Sequence, residues 1–221
     1  MKKVIFFDVD ETIVKGQSQK MFLDFLLKKK KISYAFYISV LLWFFFYKLR
    51  LVNNPMSVMT YAFSFLKNER CSDIDMLADQ FFNEYLKRQF YSEAVKIIHE
   101  YQVDGDEVVL LSNASDIIVS RIAKYFNIRD FACTVLSIDG GYYTGNIETV
   151  MFGTHKAEFV SRFMKDRQVK RNFALAYGDH DTDIPVFLEV GKPIAVNPRG
   201  KLLRKSIAND WQIVRFSSLV K

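Results

Sequence analysis

Two aspartates follow a short apolar segment near the start of the chain. Val4 to Phe7 is entirely apolar, Asp8 comes directly after it, and Asp10 comes two residues later. In an extended strand, residues i and i+2 point to the same side, so both carboxylates address one point at the strand's carboxyl end. Open α/β sheets bind their ligands at this end of their strands. Carboxylates held this close repel one another unless a cation or proton neutralises them, so we expect a divalent metal.

Three later segments carry the polar residues that such a site needs. They are the turn after a second apolar run, the start of a helical pattern, and the turn after a third apolar run. Their polar residues are Ser112 and Asn113, then Lys156, then Asp179 and Asp183. Strand ends that carry Asp, Ser, Lys and Asp in this order predict a combined phosphate and metal site.

Apolar runs of strand length alternate with helical patterns over most of the chain. Strands are predicted at 3–8, 107–112, 173–177, 193–196 and 212–216, with a strand and hairpin near 132–148. This alternation predicts an α/β fold with a doubly wound, mostly parallel sheet. The helical block between the first two strands is too long for a crossover, so it is interpreted as an inserted helical cap domain. We expect the core at 1–14 and 96–221 and the cap at 15–95.

In order and spacing, these segments resemble the haloacid dehalogenase-like superfamily, most of all its phosphoserine-phosphatase-like branch, subfamily IB. The stretch Asp139–Ile147 resembles the glycine-containing hairpin of that branch, and Ala195–Pro198 resembles its closing section. The resemblance covers residues 1–20 and 95–216. It implies a Rossmann-like core, an all-helical cap and hydrolysis of phosphate monoesters.

The resemblance also implies a role for each carboxylate. Asp8 is expected to attack phosphorus and form an aspartyl-phosphate intermediate. Asp10 is expected to protonate the leaving alcohol and then to deprotonate the attacking water. Mg²⁺ is the implied cofactor, held by the Asp8 carboxylate, the Asp10 backbone carbonyl and the Asp179 carboxylate. Asp183 is expected to orient the metal's waters from outside the ligand shell.

The transferring phosphoryl group needs hydrogen-bond donors and a positive charge. Ser112 and the backbone N–H of Asn113 are the implied donors, and Lys156 is the implied cation that keeps Asp8 and the phosphate from repelling one another. Asp181 departs from the family pattern, and we interpret it as a helix cap. His180 stands where the family frequently has Ser, and two roles are left open for it: a loop residue or a contact to substrate.

Gln17 and Ser18 are the candidate substrate-selecting residues. In phosphoserine phosphatases, an acidic residue nine positions after the nucleophile binds the ammonium group of the substrate. This chain has Gln17 at that position, and a neutral amide cannot pair with an ammonium group as a carboxylate does. Phosphoserine is therefore disfavoured, and a different small phosphorylated metabolite is expected.

A long apolar run with basic flanks lies inside the predicted cap. Residues 32–47 contain two serines and no charge. Residues 15–52 carry eight basic residues against one acidic residue, a net charge of +7, whereas the rest of the chain sums to −1. As a helix the run would span about 24 Å, which is shorter than the roughly 30 Å hydrocarbon core of a bilayer. Three interpretations stay open: a buried cap helix, a peripheral contact of residues 28–50 with an anionic membrane, or a dimer surface.

Composition and charge placement narrow the function classes. The basic residues bracket an apolar run instead of spreading over an aromatic-bearing face, so nucleic acid is not an expected partner. Cys71 and Cys133 indicate no disulfide framework or metal-ligand spacing, and a cytoplasmic protein, peripheral to the membrane in one alternative, is expected. The alternative functions are a lipid-phosphate phosphatase for phosphatidylglycerol phosphate or lysophosphatidate, and a non-catalytic membrane-associated module.

Overall fold

A computed structural model describes residues 2–49 and 55–220. The Arg50 end of the predicted membrane contact therefore lies outside the described residues. Within them, one seven-stranded sheet has the order β4-β3-β2-β1-β5-β6-β7. The strands are β1 (Val4–Asp8), β2 (Glu107–Ser115), β3 (Asp130–Asp139), β4 (Tyr142–Thr149), β5 (Ala174–Gly178), β6 (Lys192–Val196) and β7 (Gln212–Val214).

The pairing of these strands confirms the predicted fold class. β1 lies in the centre and pairs in parallel with β2 on one side and β5 on the other, and β6 and β7 extend the parallel sheet. Only the edge strand β4 runs antiparallel in the described sheet, as the second arm of the predicted hairpin. Gly140 and Gly141, both with positive φ, form the tight turn between its arms.

Helices cover both faces of the sheet. In chain order they are α1 (Ser18–Lys28), α2 (Tyr34–Lys48), α3 (Pro55–Phe63), α4 (Cys71–Glu84), α5 (Ser92–Val103), α6 (Asp116–Tyr125), α7 (Thr154–Asp166), α8 (Ile184–Glu189) and α9 (Gly200–Ala208). The apolar side chains of β1 alternate between two cores: Ile5 and Phe7 face α5 and α6, whereas Val4 and Phe6 face α7 and α8. Burial on both faces explains why this strand is continuously apolar in sequence.

Helices α1 to α4 make up most of the segment between β1 and β2, which α5 completes, and we refer to α1 to α4 as the insertion. Its inner helices share the core of the sheet, because Phe22 of α1 and Phe81 of α4 belong to the same apolar cluster as Phe7. Their rings lie 5.2 Å apart between centroids. Arg121 of α6 adds a polar connection through ion pairs of 2.8 Å with aspartates of α4. The boundaries predicted for core and cap stay a prediction.

The insertion is also joined to the sheet edge by backbone hydrogen bonds. The N–H of Asn68 donates to the carbonyl of Tyr143 at 2.9 Å, and the N–H of Tyr143 donates to Glu69 at 3.0 Å. The N–H of Cys71 donates to Gly141, in the turn of the hairpin, at 3.0 Å. The segment before α4 is therefore attached to the β3–β4 hairpin, in addition to its attachment through the apolar core.

Helix α2 contains the apolar run that the sequence left ambiguous. Val40 is buried and Trp43 packs on Tyr61, with ring centroids 5.7 Å apart. The last described turns are different: large apolar side chains there are exposed to between 42% and 55% of their surface, and they are Leu42, Phe44, Phe45, Phe46 and Leu49. A fully buried cap helix does not fit this exposure. None of the helices in residues 2–49 and 55–220 is both long and apolar enough to cross a bilayer.

Candidate active site

One cavity of about 200 Å³ lies at the carboxyl ends of β1, β2 and β5. The register explains its position, because Asp8 pairs with Leu111 and Phe7 pairs with Tyr177, so the residues that follow Leu111 and Tyr177 lie level with Asp8. Most of the site residues predicted from the sequence line it, together with some that were not predicted: Asp8, Asp10, Gln17, Ser112, Asn113, Phe152, Lys156, Asp179, His180, Thr182 and Asp183.

Lys156, in the first turn of α7, lies between two buried carboxylates. Its Nζ donates to Oδ1 of Asp8 at 2.6 Å and to Oδ1 of Asp183 at 2.9 Å. Both carboxylates raise the pKa of Lys156 and outweigh the opposing effect of its burial. The lysine is thus held in its charged form. For Asp8, burial raises the pKa, and Lys156 opposes that shift without cancelling it.

Asp10 is held by the start of the first helix. The backbone N–H of Ser18 donates to Oδ1 of Asp10 at 2.8 Å. Burial raises the pKa of Asp10 to about 6, although its contacts with Ser18 act in the opposite direction. A carboxyl group with a pKa near 6 can carry a proton and release it close to neutral pH, which is what general acid–base chemistry requires.

Asp179 completes a cluster of carboxylates able to hold a cation. One oxygen from each of Asp8, Asp179 and Asp183 lies within 4.8 Å of the others. Burial raises the pKa of Asp179, and the negative charges of Asp8 and Asp183 raise it further. Among the described residues, Lys156 is the cation bonded to this cluster, through Asp8 and Asp183, so the repulsion among the three carboxylates must be relieved further by protons or by a bound cation. The oxygen donors fit a hard divalent cation such as Mg²⁺.

Both oxygens of Asp183 already accept hydrogen bonds. Oδ1 accepts from Lys156, and Oδ2 accepts from the backbone N–H of His180 at 3.2 Å. Gly178 makes room for this carboxylate, because a Cβ at position 178 would lie 2.8 Å from Oδ2 of Asp183. These contacts suit a carboxylate that positions its neighbours, and the predicted role of Asp183 outside the ligand shell stays a prediction.

The segment with Ser112 and Asn113 departs from the predicted strand end. Strand β2 runs on to Ser115, and its register with β3 shifts: Leu111 pairs with Ala132 but Ser115 pairs with Thr134. Polar residues that bond their own backbone break a ladder in this way. Here the Ser112 hydroxyl oxygen accepts from the backbone N–H of Ala114 at 3.1 Å, which leaves its own hydrogen free to donate. Asn113 is exposed in the bulge and lines the cavity.

Asp181 and His180 have local structural roles. Oδ1 of Asp181 accepts from the backbone N–H of Leu202 at 2.8 Å, so it caps α9 and not the turn in which it lies. The Nδ1 atom of His180 accepts from the backbone N–H of Thr182 at 3.3 Å and caps the short 3-10 turn 181–183. His180 also lines the cavity, so both roles left open by the sequence are compatible with its position.

The two candidate substrate-selecting residues differ in position. Gln17 is exposed and lines the cavity, as a substrate-contacting residue must. Ser18 is fully buried, and its described contact is with Asp10. A substrate contact for Ser18 does not fit this burial. Ser18 is the first residue of α1 and contacts Asp10 through its backbone N–H. The residue type at position 18 therefore gave no signal for this contact.

Sequence reasoning did not identify three residues at or near the site. Phe152 and Thr182 line the cavity. Gln19 lies behind it, where its Oε1 accepts from the backbone N–H and the hydroxyl of Ser115, both at 3.3 Å. This contact joins α1 to the end of β2. An isolated Phe or Gln carries no chemical pattern, so the sequence offered no signal for them.

The chain belongs to the haloacid dehalogenase-like hydrolases, whose family profile it matches over residues 5–188. Several of its relatives bear phosphatase names, and the predicted membership and the predicted phosphatase class are confirmed at that level.

Two relatives illustrate the range of similarity. The "Inhibition of morphological differentiation protein" of Streptomyces azureus is 31% identical over 132 residues, which are 59% of this chain and 48% of that protein. This chain therefore matches about half of that relative's length. A histidinol-phosphatase of Neisseria meningitidis is 22% identical over 232 residues, covering 98% of this chain and 100% of the relative.

Solved structures share the whole fold. A protein of unknown function from Bordetella pertussis has a TM-score of 0.87 at 20% identity, with 97% of this chain and 99% of that chain covered. A phosphoserine phosphatase with an analogue of a phospho-aspartyl intermediate has a TM-score of 0.69 at 19% identity, with 99% and 94% covered. The similarity to the phosphoserine-phosphatase-like branch is thus confirmed as similarity of fold.

Proposed function

We propose that the chain is a Mg²⁺-dependent phosphomonoester hydrolase that works through an aspartyl-phosphate on Asp8. One observation carries the proposal: Asp8, Asp10, Ser112, Lys156 and Asp179 come from distant parts of the sequence and line one cavity. These are the groups that phosphoryl transfer needs, namely a nucleophile, an acid–base group, a hydrogen-bond donor, a cation and a metal ligand.

Each residue then has a distinct task. Asp8 attacks phosphorus, and the leaving oxygen takes the proton that Asp10 carries. Asp10 then takes a proton from the water that hydrolyses the aspartyl-phosphate. Ser112 and the N–H of Asn113 donate to the phosphoryl oxygens, and Lys156 offsets their negative charge together with that of Asp8.

Asp8, Asp179 and the backbone carbonyl of Asp10 would hold Mg²⁺, and Asp183 would orient the ion's waters. When bound, the ion withdraws charge from the phosphoryl oxygens and fixes the substrate's orientation. The described carboxylate cluster consists of Asp8, Asp179 and Asp183, so a carbonyl ligand at Asp10 would leave its carboxylate available for proton transfer.

We place the substrate among small phosphorylated metabolites. The core at 1–14 and 96–221 would supply the chemistry, and the cap at 15–95 would select the substrate, with Gln17 at the cavity. The names of relatives include a histidinol-phosphatase and a phosphoserine phosphatase. Both names imply a substrate that carries an ammonium group, whereas Gln17 offers no charge to pair with one. We also propose a cytoplasmic location, since the described cysteines, Cys71 and Cys133, are both free thiols.

The test is hydrolysis of a panel of phosphate monoesters with and without Mg²⁺ by the wild type, Asp8→Asn and Asp10→Asn. We expect both variants to lose turnover. Asp10→Asn should keep Mg²⁺ affinity within about threefold of wild type, since its backbone carbonyl is unchanged, whereas Asp179→Ala should lose it. Undiminished phosphatase activity in Asp8→Asn would refute Asp8 as the nucleophile. Absence of hydrolysis by the wild type across the whole panel would leave the non-catalytic membrane-associated module as the remaining candidate.

The exposed end of α2 favours a second candidate, a lipid-phosphate phosphatase that works at a membrane surface. An apolar helix without a polar outer face is typical of burial in protein or lipid, yet Phe44, Phe45 and Leu49 are exposed. The net positive charge of residues 15–52 matches anionic headgroups and disfavours pairing with a second copy.

Flotation with anionic vesicles tests the second candidate. Binding should fall when Phe44 and Phe45 are replaced by Ser, and it should persist in Tyr34→Ser, which removes an exposed aromatic ring at the other end of α2. Wild-type protein that stays unbound would eliminate the lipid candidate.

A further inference from the structure

The cavity lined by Asp8, Asp10 and Lys156 is called the catalytic cavity here, in line with the proposed function. A second, larger cavity opens directly beside it. It has a volume of about 860 Å³ and shares Gln17, Asp179 and His180 with the catalytic cavity. Tyr91 and Asp181 complete a wall that comes mainly from the loop after β1, the loop between β6 and α9, and the segment after β7. All of these lie at the carboxyl edge of the sheet. A ligand whose phosphate occupies the catalytic cavity can therefore extend into this second cavity, which we call the basic groove.

Three cations line the basic groove: Lys15, Arg199 and Arg215. Each is exposed, and among the described residues none of their side chains takes part in an ion pair or a hydrogen bond. They also come from three separate loops, so local sequence does not explain their convergence. Because these three side chains have no protein partner among the described residues, their N–H donors are available to an anion from solution.

Three acidic residues also line the basic groove, so its formal charges balance, but two of the three are engaged elsewhere. Asp179 belongs to the carboxylate cluster of the catalytic cavity. Asp181 is engaged through Oδ1 in capping α9, which also means that the start of this helix is already occupied by a protein carboxylate. Glu11 is the remaining acidic residue in the wall. Glu11 is thus the one acidic residue in this wall that neither belongs to the carboxylate cluster nor caps a helix.

We propose that the basic groove binds a second anionic group of the substrate. The substrate class is then a phosphate monoester whose leaving group carries another phosphate, a phosphodiester or a carboxylate. Guanidinium groups bind such anions through paired N–H donors, which fixes orientation as well as charge. This inference rests on the proposed phosphatase function and specifies its substrate class. Binding of the distant anion would hold the reacting phosphate in place over Asp8.

Two sources could supply this chemistry. One is a soluble metabolite that carries two anionic groups. The other is a phospholipid whose headgroup has an internal phosphodiester and a terminal phosphomonoester. Both place a second anion close to the ester that is cleaved, so the experiment needs one arm for each source.

The first arm compares short α,ω-alkanediol bisphosphates with the matching alkyl monophosphates, in the presence of Mg²⁺. We expect wild-type kcat/KM to be higher for the bisphosphates. Arg199→Gln and Arg215→Gln should each lower kcat/KM for the bisphosphates about tenfold, mainly through KM, and should change it less than about twofold for the monophosphates. Arg204→Gln, which removes an exposed charge on α9 outside the wall of the basic groove, should change neither.

The second arm uses vesicles containing phosphatidylglycerol phosphate, which has both groups, or phosphatidate, which has only the monoester. A preference for the first lipid that depends on Arg199 and Arg215 supports the basic groove and assigns it to lipid, and the same dependence only in the first arm assigns it to soluble substrates. Arg199→Gln and Arg215→Gln could instead lower kcat/KM equally for the substrate with two anionic groups and for its counterpart with one, or lower neither. The basic groove then binds no second anion of the substrate, while the phosphatase proposal stands. Absence of hydrolysis of every ester would overturn both.

Discussion

Lys156 donates a 2.6 Å hydrogen bond to Asp8 across 148 positions of sequence. The contact joins the first turn of α7 to the end of β1, and a second bond from the same ammonium group reaches Asp183. A buried cation shared by two buried carboxylates exists only when all three elements have packed. The charges of the candidate site and the stability of the core are therefore coupled.

The first prediction concerns this shared cation. Lys156→Met keeps an apolar stem of similar length but leaves Asp8 and Asp183 buried without their partner, and removal of one member of a buried pair costs about 3–5 kcal/mol. We expect a loss of unfolding free energy of this size near pH 7 in urea denaturation. Phosphatase activity should fall by more than about a hundredfold, because the phosphate and Asp8 would then repel one another.

Lys165→Met is the matched control, since it lies on the same helix and is exposed. It should alter stability by less than about 0.5 kcal/mol. A Lys156→Met protein as stable as wild type near pH 7 would show that the two carboxylates do not depend on the lysine.

The second prediction concerns the space that Gly178 leaves for the Asp183 carboxylate, compared with an equally tight glycine outside the catalytic cavity. Gly178→Ala would press its methyl group against the Asp183 carboxylate, so Asp183 must move away from Lys156 and from the N–H of His180. We expect the activity of the folded protein to fall by about tenfold or more, since misplacement by about 1 Å can cost two orders of magnitude.

Gly191→Ala is the comparison variant. A Cβ there would press on backbone atoms of Arg171 and Asn172, far from the catalytic cavity. It should lower the melting temperature but leave activity per folded molecule close to wild type. If both glycine variants lose activity in proportion to stability, crowding of Asp183 has no specific effect.

Much of the candidate site was predictable because it depends on strand ends and local spacing. Asp8 and Asp10 lie at the end of a buried strand. The strand that carries Ser112 and the strand that Asp179 directly follows pair with it on its two sides. Their convergence follows from parallel topology alone. The α/β sheet with its helical insertion was predictable for the same reason, since alternating apolar runs and helical patterns have few solutions.

Other features depend on contacts that no local pattern contains. Asp181 caps a helix that begins well beyond it in sequence, and Ser18 supplies a backbone N–H instead of its hydroxyl. The convergence of Arg199 and Arg215 beside the catalytic cavity requires the packing of β6, α9 and β7. The sequence also could not predict that the end of α2 is exposed, because an apolar helix has the same sequence pattern whether protein or lipid covers it.

The third prediction is a pH dependence of stability in metal-free protein. Burial raises the pKa of Asp8, Asp10 and Asp179, that of Asp10 from 3.8 to about 6. A carboxyl group whose pKa is higher in the folded state binds more protons there than in the unfolded state, so stability falls as pH rises. For Asp10 its contribution is complete below about pH 4 and is lost as the pH rises through about 6.

The melting temperature of metal-free protein should therefore fall between about pH 5 and about pH 7.5, and less steeply in Asp10→Asn, which removes one of the three groups. Added Mg²⁺ should raise the melting temperature more at the higher pH, since the ion binds the charged carboxylates of the folded state. Identical slopes for the wild type and Asp10→Asn would contradict the elevated pKa of this residue.

The fourth prediction concerns Gln17, which lines both the catalytic cavity and the basic groove. Gln17→Glu places a carboxylate where a substrate ammonium group can pair with it at little cost in volume. The ratio of kcat/KM for phosphoserine to that for p-nitrophenyl phosphate should rise about tenfold, the gain expected of one charge-assisted hydrogen bond. Gln17→Met, which is similar in size but neutral, should leave the ratio near its wild-type value.

The carboxylate introduced by Gln17→Glu would also repel a second substrate anion in the basic groove, so this variant should weaken the preference for alkanediol bisphosphates. A ratio that does not change in Gln17→Glu would show that position 17 does not contact the leaving group, and specificity would then depend on other parts of the cap.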